Sequence, residues 1–376
     1  MLALLSLLLV LPVLCLAEDV PSVTGKVLEI EKYGHAQLDI TIEDFNAAGF
    51  DLGDIITVTA GNYTGDMPYF NGYYVDRDEY MVRAYPGQTY IAVCINYGRF
   101  ADTAGVDVGA PVTLTLKEKA GAIDLQEINN LVYRNDRAAF PSDEVFANFR
   151  PVTVGGIVEG LLYRSCSPVN NQYGRAATAN ALAEAAGIQT VMNLANTEEE
   201  LTGYFQQEDF SSFYYRQLYE DGQVILLGLG VDFTSEEFAR SVVAGLKFLA
   251  GQEPPYLVHC TEGKDRAGFA SMLLEALIDA DEEEIVSDYM LSFTNYFGTE
   301  PGSKQYELIA DKNIREMLRF VAGLENGASL EGVDLKAATE KYVLDAGMTP
   351  EELDELRNKL SDPDAVGLPE EEQNAA

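Results

Sequence analysis

The 376-residue sequence has only two histidines, His35 and His259, and neither has a second candidate ligand at helical metal-binding spacing. That argues against a zinc enzyme and against a hydrolase built on a Ser-His-Asp triad. Cysteine is scarce as well. Cys15 lies in an apolar leader, which leaves Cys94, Cys166 and Cys260, an odd set that is no disulfide framework and leaves at least one thiol free. Basic side chains are outnumbered: 25 Lys and Arg face 61 Asp and Glu, a net charge of −36. Binding nucleic acid through its phosphates needs a basic surface, so no nucleic-acid partner is expected, and the acidity reads as a solubility device.

One apolar run stands out. Residues 2–16 are almost wholly apolar and end in Cys15-Leu16-Ala17 before Glu18-Asp19, the form of a signal-peptide h-region with a small-residue cleavage site. A membrane span needs roughly 20 residues, more than this run supplies. The expectation is an exported protein, secreted or held at the cell surface or wall, with residues 1–17 as signal peptide. At roughly 150 residues per domain, the rest makes two folded units.

Residues 18–120 read as a small all-β domain. Leu38-Asp39-Ile40-Thr41-Ile42, Ile56-Thr57-Val58-Thr59-Ala60 and Val112-Thr113-Leu114-Thr115-Leu116 alternate apolar with polar, as half-buried strands do. Gly61-Asn62, Gly65-Asp66, Asn71-Gly72 and Pro86-Gly87 supply turns, which gives a barrel or sandwich of six or seven strands. Tyr69, Tyr73, Tyr74, Tyr80, Tyr85, Tyr90 and Tyr97 crowd this stretch, either as ordinary strand packing or as the lining of a surface for a carbohydrate or aromatic ligand.

After Gly121 strands alternate with helices, the mark of an α/β fold with a largely parallel sheet flanked by helices. Residues 160–165, 190–194, 213–218 and 255–258 are the strand candidates. A helix over residues 171–186 stops at Gly187, and Thr234-Ser235-Glu236-Glu237 opens another as a capping box, with Phe238, Val242, Leu246 and Leu249 on one face. Beyond Pro301 the pattern is helical: Ile314, Leu318 and Val321 form a stripe, and Thr349-Pro350-Glu351-Glu352 caps a last helix. Residues 121–325 are assigned to this domain. Residues 326–376 are assigned to a helical extension whose acidic end, from residue 362, reads as disordered.

Chemistry concentrates in residues 255–278. The apolar strand Tyr256-Leu257-Val258 runs into a tight loop with two glycines, a Cys and an Arg separated by five residues, and an apolar helix from about Ala267. A loop that wraps into a helix N-terminus points several N–H groups at one spot, and the helix dipole adds positive potential, which suits a tetrahedral dianion. Cys260 sits at the base of that cradle, where the donors together with Lys264 and Arg266 favour a nucleophilic thiolate. Arg266 offers two parallel donors to two phosphoryl oxygens, a fork that lysine lacks. Thr261, Glu262, Gly263, Lys264, Ala267 and Gly268 complete the phosphate-binding set. The bland alternative is a buried structural cysteine at a strand end.

The string His259-Cys260-Thr261-Glu262-Gly263-Lys264-Asp265-Arg266-Ala267-Gly268 resembles the signature loop of the protein tyrosine phosphatase superfamily, and Gly263-Lys264-Asp265-Arg266 most resembles its bacterial tyrosine and lipid phosphatase branch. Leu162-Tyr163-Arg164-Ser165 and Gly187-Ile188-Gln189-Thr190-Val191-Met192-Asn193-Leu194 extend the likeness to residues 148–297. It implies a phosphatase without metal or other cofactor. Cys260 takes the phosphoryl group, a carboxylic acid protonates the leaving oxygen, and water then releases phosphate. The implied acid is Asp265 in the loop or Asp221 in Tyr219-Glu220-Asp221-Gly222, which would follow a strand where the wider superfamily keeps a mobile acid loop. His259 is implied to orient the loop. Ala267 stands where the signature has Thr or Ser, which implies a slow second step.

The implied substrates are phosphotyrosine proteins, inositol phosphates or phosphoinositides, with Lys264 adding charge suited to polyphosphorylated ligands. A weakly active, phosphate-recognising binding protein with the β domain as targeting module is the competing reading. Cys166, in Arg164-Ser165-Cys166-Ser167-Pro168, reads as a loop thiol or as a redox partner of Cys260. The β domain itself resembles the smaller domain of S-adenosylmethionine hydroxide adenosyltransferases through Tyr33-Gly34-His35, Asn96-Tyr97-Gly98 and Gly109-Ala110-Pro111-Val112, and no function is carried over from it.

Overall fold

The computed structural model describes residues 20–362. The expected signal peptide and nearly all of the expected disordered tail lie outside the described residues. The chain divides into two compact units, residues 1–131 and residues 132–376.

The first unit is a closed seven-stranded barrel in a mixed α/β chain. Its elements are β1 (Ser22–Ile30), β2 (Ala36–Thr41), α1 (Ile42–Ala47), β3 (Ile55–Ala60), β4 (Tyr63–Phe70), β5 (Tyr80–Arg83), β6 (Tyr90–Ile95), α2 (Phe100–Ala104), β7 (Pro111–Glu118) and α3 (Ile123–Asn129). The period of two decides which side chains go inside. Ile56, Val58 and Ala60 of β3 are buried with Val112 and Leu114 of β7. Outside, Ser22 and Thr24 of β1 bond the hydroxyls of Thr115 and Thr113 at 2.8 and 2.9 Å. Closure leaves no free sheet edge. Phe45 stacks on Phe50 at 4.1 Å with Tyr69 edge-on, plugging the core. The unit runs to Leu131, so α3 belongs to it: the N–H of Ala122 donates to the Gly53 carbonyl, and Gln126 bonds Asn71.

The second unit builds a five-stranded sheet in the order β11-β10-β12-β9-β8. In chain order it contains α4 (Asp143–Ala147), β8 (Arg150–Pro151), β9 (Leu162–Ser165), α5 (Ala176–Ala185), β10 (Thr190–Asn193), α6 (Glu198–Phe205), α7 (Phe213–Glu220), β11 (Val224–Leu226), α8 (Glu236–Ala250), β12 (Tyr256–His259), α9 (Asp265–Leu277), α10 (Glu282–Phe297), α11 (Lys304–Lys312), α12 (Ile314–Val321), α13 (Leu335–Asp345) and α14 (Pro350–Ser361). Strands β9 to β12 pair in parallel and β8 pairs antiparallel with β9. Every residue of α9 from Ala267 to Leu277 is buried, Ser271 and Glu275 among otherwise apolar side chains.

Local signals explain several boundaries. Thr349 and Glu352 form a capping box with Pro350 at the first turn of α14. Helix α8 starts from Ser235 alone, whose hydroxyl accepts from the Phe238 N–H. Phe238 occupies the third helical position where a box needs Glu, so the expected box does not form. Helix α5 begins at Ala176, because Asn171 spends its carboxamide oxygen on the Ala176 N–H and holds the preceding residues as a turn. The expected strand at residues 213–218 is a correction: Phe213–Glu220 is a helix and the strand is Val224–Leu226. Consecutive aromatics favour strands, but Tyr215 and Leu218 fall on one helical face and are buried together, while the Tyr215 N–H donates to Asn180 Oδ1 at 2.9 Å.

Candidate active site

Strand β12 delivers Cys260, 3% exposed, to the edge of the sheet, and the chain turns through residues 261–264 into α9. What shapes this turn is the fate of its carbonyls. The Cys260 carbonyl accepts from His259 Nδ1 at 3.3 Å and the Thr261 carbonyl from the Ser167 N–H at 3.1 Å. The Glu262 carbonyl accepts from Tyr296 Oη at 2.6 Å, and Asn148 Nδ2 lies 3.3 Å from the carbonyls of both Glu262 and Gly263. Arg164 Nη2 donates to Gly263 at 2.9 Å and Lys264 at 3.0 Å. In a planar trans peptide the C=O and N–H point in opposite directions. Five consecutive carbonyls tied to the surrounding scaffold therefore turn the N–H groups of residues 261–265 to the other side. That is a nest for an anion at a helix N-terminus.

The scaffold is itself charged and buried. Arg164 Nη1 pairs with Asp288 Oδ2 at 2.5 Å, and Arg150 Nε with Asp288 Oδ1 at 2.8 Å. Burial pushes the Asp288 carboxyl up, and the guanidiniums of Arg150 and Arg164 more than reverse it, holding it ionised well below the usual carboxylate range. Glu275 next to it goes the other way: burial and the Asp288 charge raise it well above that range and keep it protonated. Arg150 Nη1 also donates to Asn148 Oδ1 at 2.8 Å, which fixes the orientation of the Asn148 amide that serves the loop. Arg164 was quoted in the sequence only as part of a likeness. Its role, and those of Asn148, Asp288 and Tyr296, had no local signal, since they lie up to more than a hundred residues from the loop they hold.

Gly263 and Gly268 answer to close approach. At Gly263 the backbone has φ +70° and an added Cβ would lie 2.1 Å from the Ser165 carbonyl oxygen; at Gly268 it would meet the Tyr289 ring at 2.5 Å. Arg266 closes the loop, Nη1 donating to the Leu229 carbonyl at 2.7 Å and Nη2 to Thr261 Oγ1 at 3.0 Å, so its fork is held in place before any ligand arrives. Lys264 lies over the Phe293 ring at 4.7 Å, with Asp265 Oδ2 at 3.3 Å and Glu262 Oε2 at 4.0 Å. Ala267 is fully buried.

His259 is fully buried behind the cysteine. Asn193 Nδ2 donates to Tyr215 Oη at 2.8 Å, Tyr215 Oη lies 3.2 Å from His259 Nε2, and His259 Nδ1 faces the Cys260 carbonyl. Only one tautomer satisfies that chain: the proton sits on Nδ1 and Tyr215 donates to Nε2. Burial lowers its pKa to about 4, whereas an unfolded chain titrates near 6.5. Its contribution to stability is thus complete above about pH 6.5 and is lost as pH falls toward 4, roughly 3 kcal/mol in all. Urea unfolding of the natural protein and His259→Gln at pH 7 and pH 4.5 checks this. The stability gap between the two should shrink at acid pH, and a constant gap would show that His259 is not held neutral.

Cys166 is buried at 2% exposure, and burial pushes its thiol up to about 12. Cys94 in the barrel is likewise free and pushed up to about 12 by burial.

The two carboxylate candidates part company here. Asp265 opens α9, with Tyr289 Oη donating to its Oδ1 at 3.2 Å. Asp221 is placed elsewhere. It follows α7 and precedes β11, and the parallel registers Val191↔Val224 and Thr190↔Tyr256 put the starts of β11 and β12 at one edge of the sheet. Cys260 follows the far end of β12, about 13 Å away at 3.3 Å per residue. Asp221 does not follow a strand: it caps the C-terminus of α7, which occupies the residues expected as a strand. The residues after the true strand emerge on the Cys260 edge: Leu229 accepts from Arg266, and three residues on, Asp232 is exposed with Oδ1 accepting from Thr234 Oγ1 at 3.0 Å. Sequence reading missed Asp232 because it ended the strand too early; the short apolar Val224-Ile225-Leu226 was the signal for it.

A strand-loop-helix unit that buries a thiol under five inward amides and a clamped arginine defines a cysteine-centred oxyanion site. Residues 147–362, more than half the chain, match the model of the tyrosine phosphatase family, and the chain belongs to that family. No curated protein matches the chain. Among solved structures it is similar to the crystal structure of an uncharacterized conserved protein from Thermotoga maritima, at 18% identity and TM-score 0.24, covering 26% of this chain and 37% of that one. A likeness that slight carries nothing over. Among the described residues no helix is long and apolar enough to cross a membrane, and no cluster of His, Cys, Asp and Glu is arranged to hold a metal ion.

Proposed function

We propose that the protein is an exported, cysteine-dependent phosphatase acting on phosphate monoesters of phosphotyrosine proteins, inositol phosphates or phosphoinositides. The observation that carries this reading is the set of five tied-back carbonyls between Cys260 and Arg266. In the first step Cys260 Sγ attacks phosphorus, the S–P bond forms, the P–O ester bond breaks, and an acid gives its proton to the leaving oxygen. In the second, water attacks phosphorus and gives its proton to the carboxylate left by the first step, the S–P bond breaks with its electron pair returning to Cys260, and phosphate leaves. Arg266 and the amides of residues 261–265 bear the charge on the equatorial oxygens.

Asp265 is the proposed acid. Removing a general acid costs typically about 10²- to 10⁴-fold, so Asp265→Asn should fall in that range while Asp221→Asn stays within about twofold of the natural rate. A comparable loss in Asp232→Asn with none in Asp265→Asn would move the role to the loop after β11.

The deciding experiment is phosphate release from p-nitrophenyl phosphate, a phosphotyrosine peptide, a phosphoinositide and phytate, in a metal chelator, by the natural protein and Cys260→Ser. Release that vanishes in the variant supports the cysteine mechanism and ranks the substrates. No release from any of them favours a phosphate-recognising binding protein, a reading that Ala267, lacking the hydroxyl that eases the second step, supports.

A further inference from the structure

We propose that the barrel unit carries a binding site for a neutral carbohydrate, in a pocket of about 1000 Å³ walled by Tyr33, Tyr73, Tyr85 and Tyr97 with His35 and Arg83 at its lining. None of the residues of this pocket belongs to the phosphatase loop. Two features of it go unexplained by folding.

The first is Tyr97. It is 78% exposed, so its ring contributes little to the core, yet its backbone has φ +58°. The residue sits third in a turn closed by the Gly98 N–H and the Ile95 carbonyl at 3.1 Å, where glycine or asparagine is the usual occupant. A side chain with a Cβ is strained in that left-handed region. The Arg77 guanidinium lies 4.7 Å over the ring and keeps one face covered. Tyr33, 65% exposed, is presented in a similar way with Lys32 over it at 5.3 Å.

The second is a pair of buried side-chain nitrogens without hydrogen-bond partners, Arg83 Nε and His35 Nδ1. Arg83 spends Nη1 and Nη2 on Glu31, Tyr73 and Gln88, but its Nε has no partner. The Tyr73 hydroxyl accepts from Arg83 Nη1 at 3.0 Å and lies 3.0 Å from His35 Nε2, and His35 Nδ1 has no partner. Buried polar atoms in folded proteins are nearly all paired, so two together in one pocket ask for a partner.

A ligand that answers both features offers apolar C–H faces to tyrosine rings and, to the polar lining of His35, Arg83, Gln88 and Asn96, groups that both donate and accept hydrogen bonds. A sugar ring has both. A flat heteroaromatic base instead needs a slot between parallel rings, and the ring pairs here are tilted: Tyr73 on Tyr85 by 53° and His35 on Tyr73 by 45°. An anion is disfavoured, because both arginines of the lining are already paired, Arg83 with Glu31 and Arg99 with Asp102, in a chain of net charge −36.

Affinity electrophoresis of the full chain through gels containing mannan, xylan, mixed-linkage β-glucan or galactan tests this, with polygalacturonate as the anionic comparison. At least one neutral polymer should retard the protein while polygalacturonate does not. Tyr97→Asn should weaken retardation about tenfold, as loss of an aromatic anchor does, without lowering Tm, since asparagine tolerates the left-handed backbone. Tyr33→Ala should weaken it as well. Retardation by none of the neutral polymers overturns the proposal, and so does retardation that both variants retain in full.

Discussion

Replacing Arg164 by Met is expected to destabilise the protein by about 3–5 kcal/mol, the usual cost of removing one partner from a buried ion pair. The same change is expected to lower kcat on p-nitrophenyl phosphate by about 10²- to 10³-fold, the usual cost of losing a fixed oxyanion donor. Both effects have one source. Arg164 is fully buried and spends its guanidinium in two directions, on the Asp288 carboxylate and on the carbonyls of Gly263 and Lys264. Without it Asp288 keeps only Arg150, and the peptides that aim the N–H groups of Lys264 and Asp265 are free to turn. Methionine fills much of the space, so the loss reads as electrostatics and hydrogen bonding more than as a cavity. Urea unfolding and steady-state kinetics give the two numbers. A stability loss below about 1 kcal/mol together with an unchanged kcat would show that Arg164 does not hold the loop.

Gly263→Ala should separate the loop from the rest of the fold. The added Cβ would lie 2.1 Å from the Ser165 carbonyl oxygen and 2.7 Å from the Cys166 nitrogen, backbone atoms that cannot rotate away, at a residue with φ +70°. The left-handed penalty alone is about 1–2 kcal/mol. Relief of the contact must come from the loop, which moves away from β9 and carries its amides with it, so kcat should fall about 10²-fold or more. Gly187→Ala is the comparison: φ is +64° and nothing lies within 4 Å of an added Cβ. It should lose roughly 1 kcal/mol of stability and no activity. Equal activity in the two variants would mean that the close approach at Gly263 is not needed for the site.

The sequence made some of this legible and hid the rest for physical reasons. Alternation in Ile56-Thr57-Val58-Thr59-Ala60 was enough to place β3, because a two-residue period is a local property. The string from His259 to Gly268 was legible as a loop into a helix because its glycines, its Cys and its Arg are contiguous. Helix α7 was not legible: Phe213, Tyr214 and Tyr215 have strand-forming side chains, and what makes them helical is the burial of Tyr215 against His259 and Asn193, residues distant in sequence. A loop is located by the strand it follows, so a helix with strand-forming side chains displaces the expected acid from the loop after β11 to the end of α7. Asn148, Arg164, Ser167 and Tyr296 were invisible as parts of the site for the same reason. Each acts through a backbone carbonyl on another segment, and carbonyls leave no trace in a sequence.

The anchoring of the five carbonyls also limits what can be transplanted. Residues 259–268 carry only part of their own shape; the rest comes from donors on β9, on the chain after it, on α10 and on the residues between α4 and β8. Grafted onto another strand-to-helix junction, the same ten residues would bring the carbonyls of Thr261, Glu262 and Gly263 with no donors waiting for them, since only those of Cys260 and Lys264 have partners within the ten, in His259 and Gly268. Each one buried unpaired would cost about 1–3 kcal/mol, so the graft would relax by turning its peptides around. An excised copy of the motif would then keep its thiol and its arginine but lose the amides. The unit that can be moved between proteins is the loop together with its four helpers.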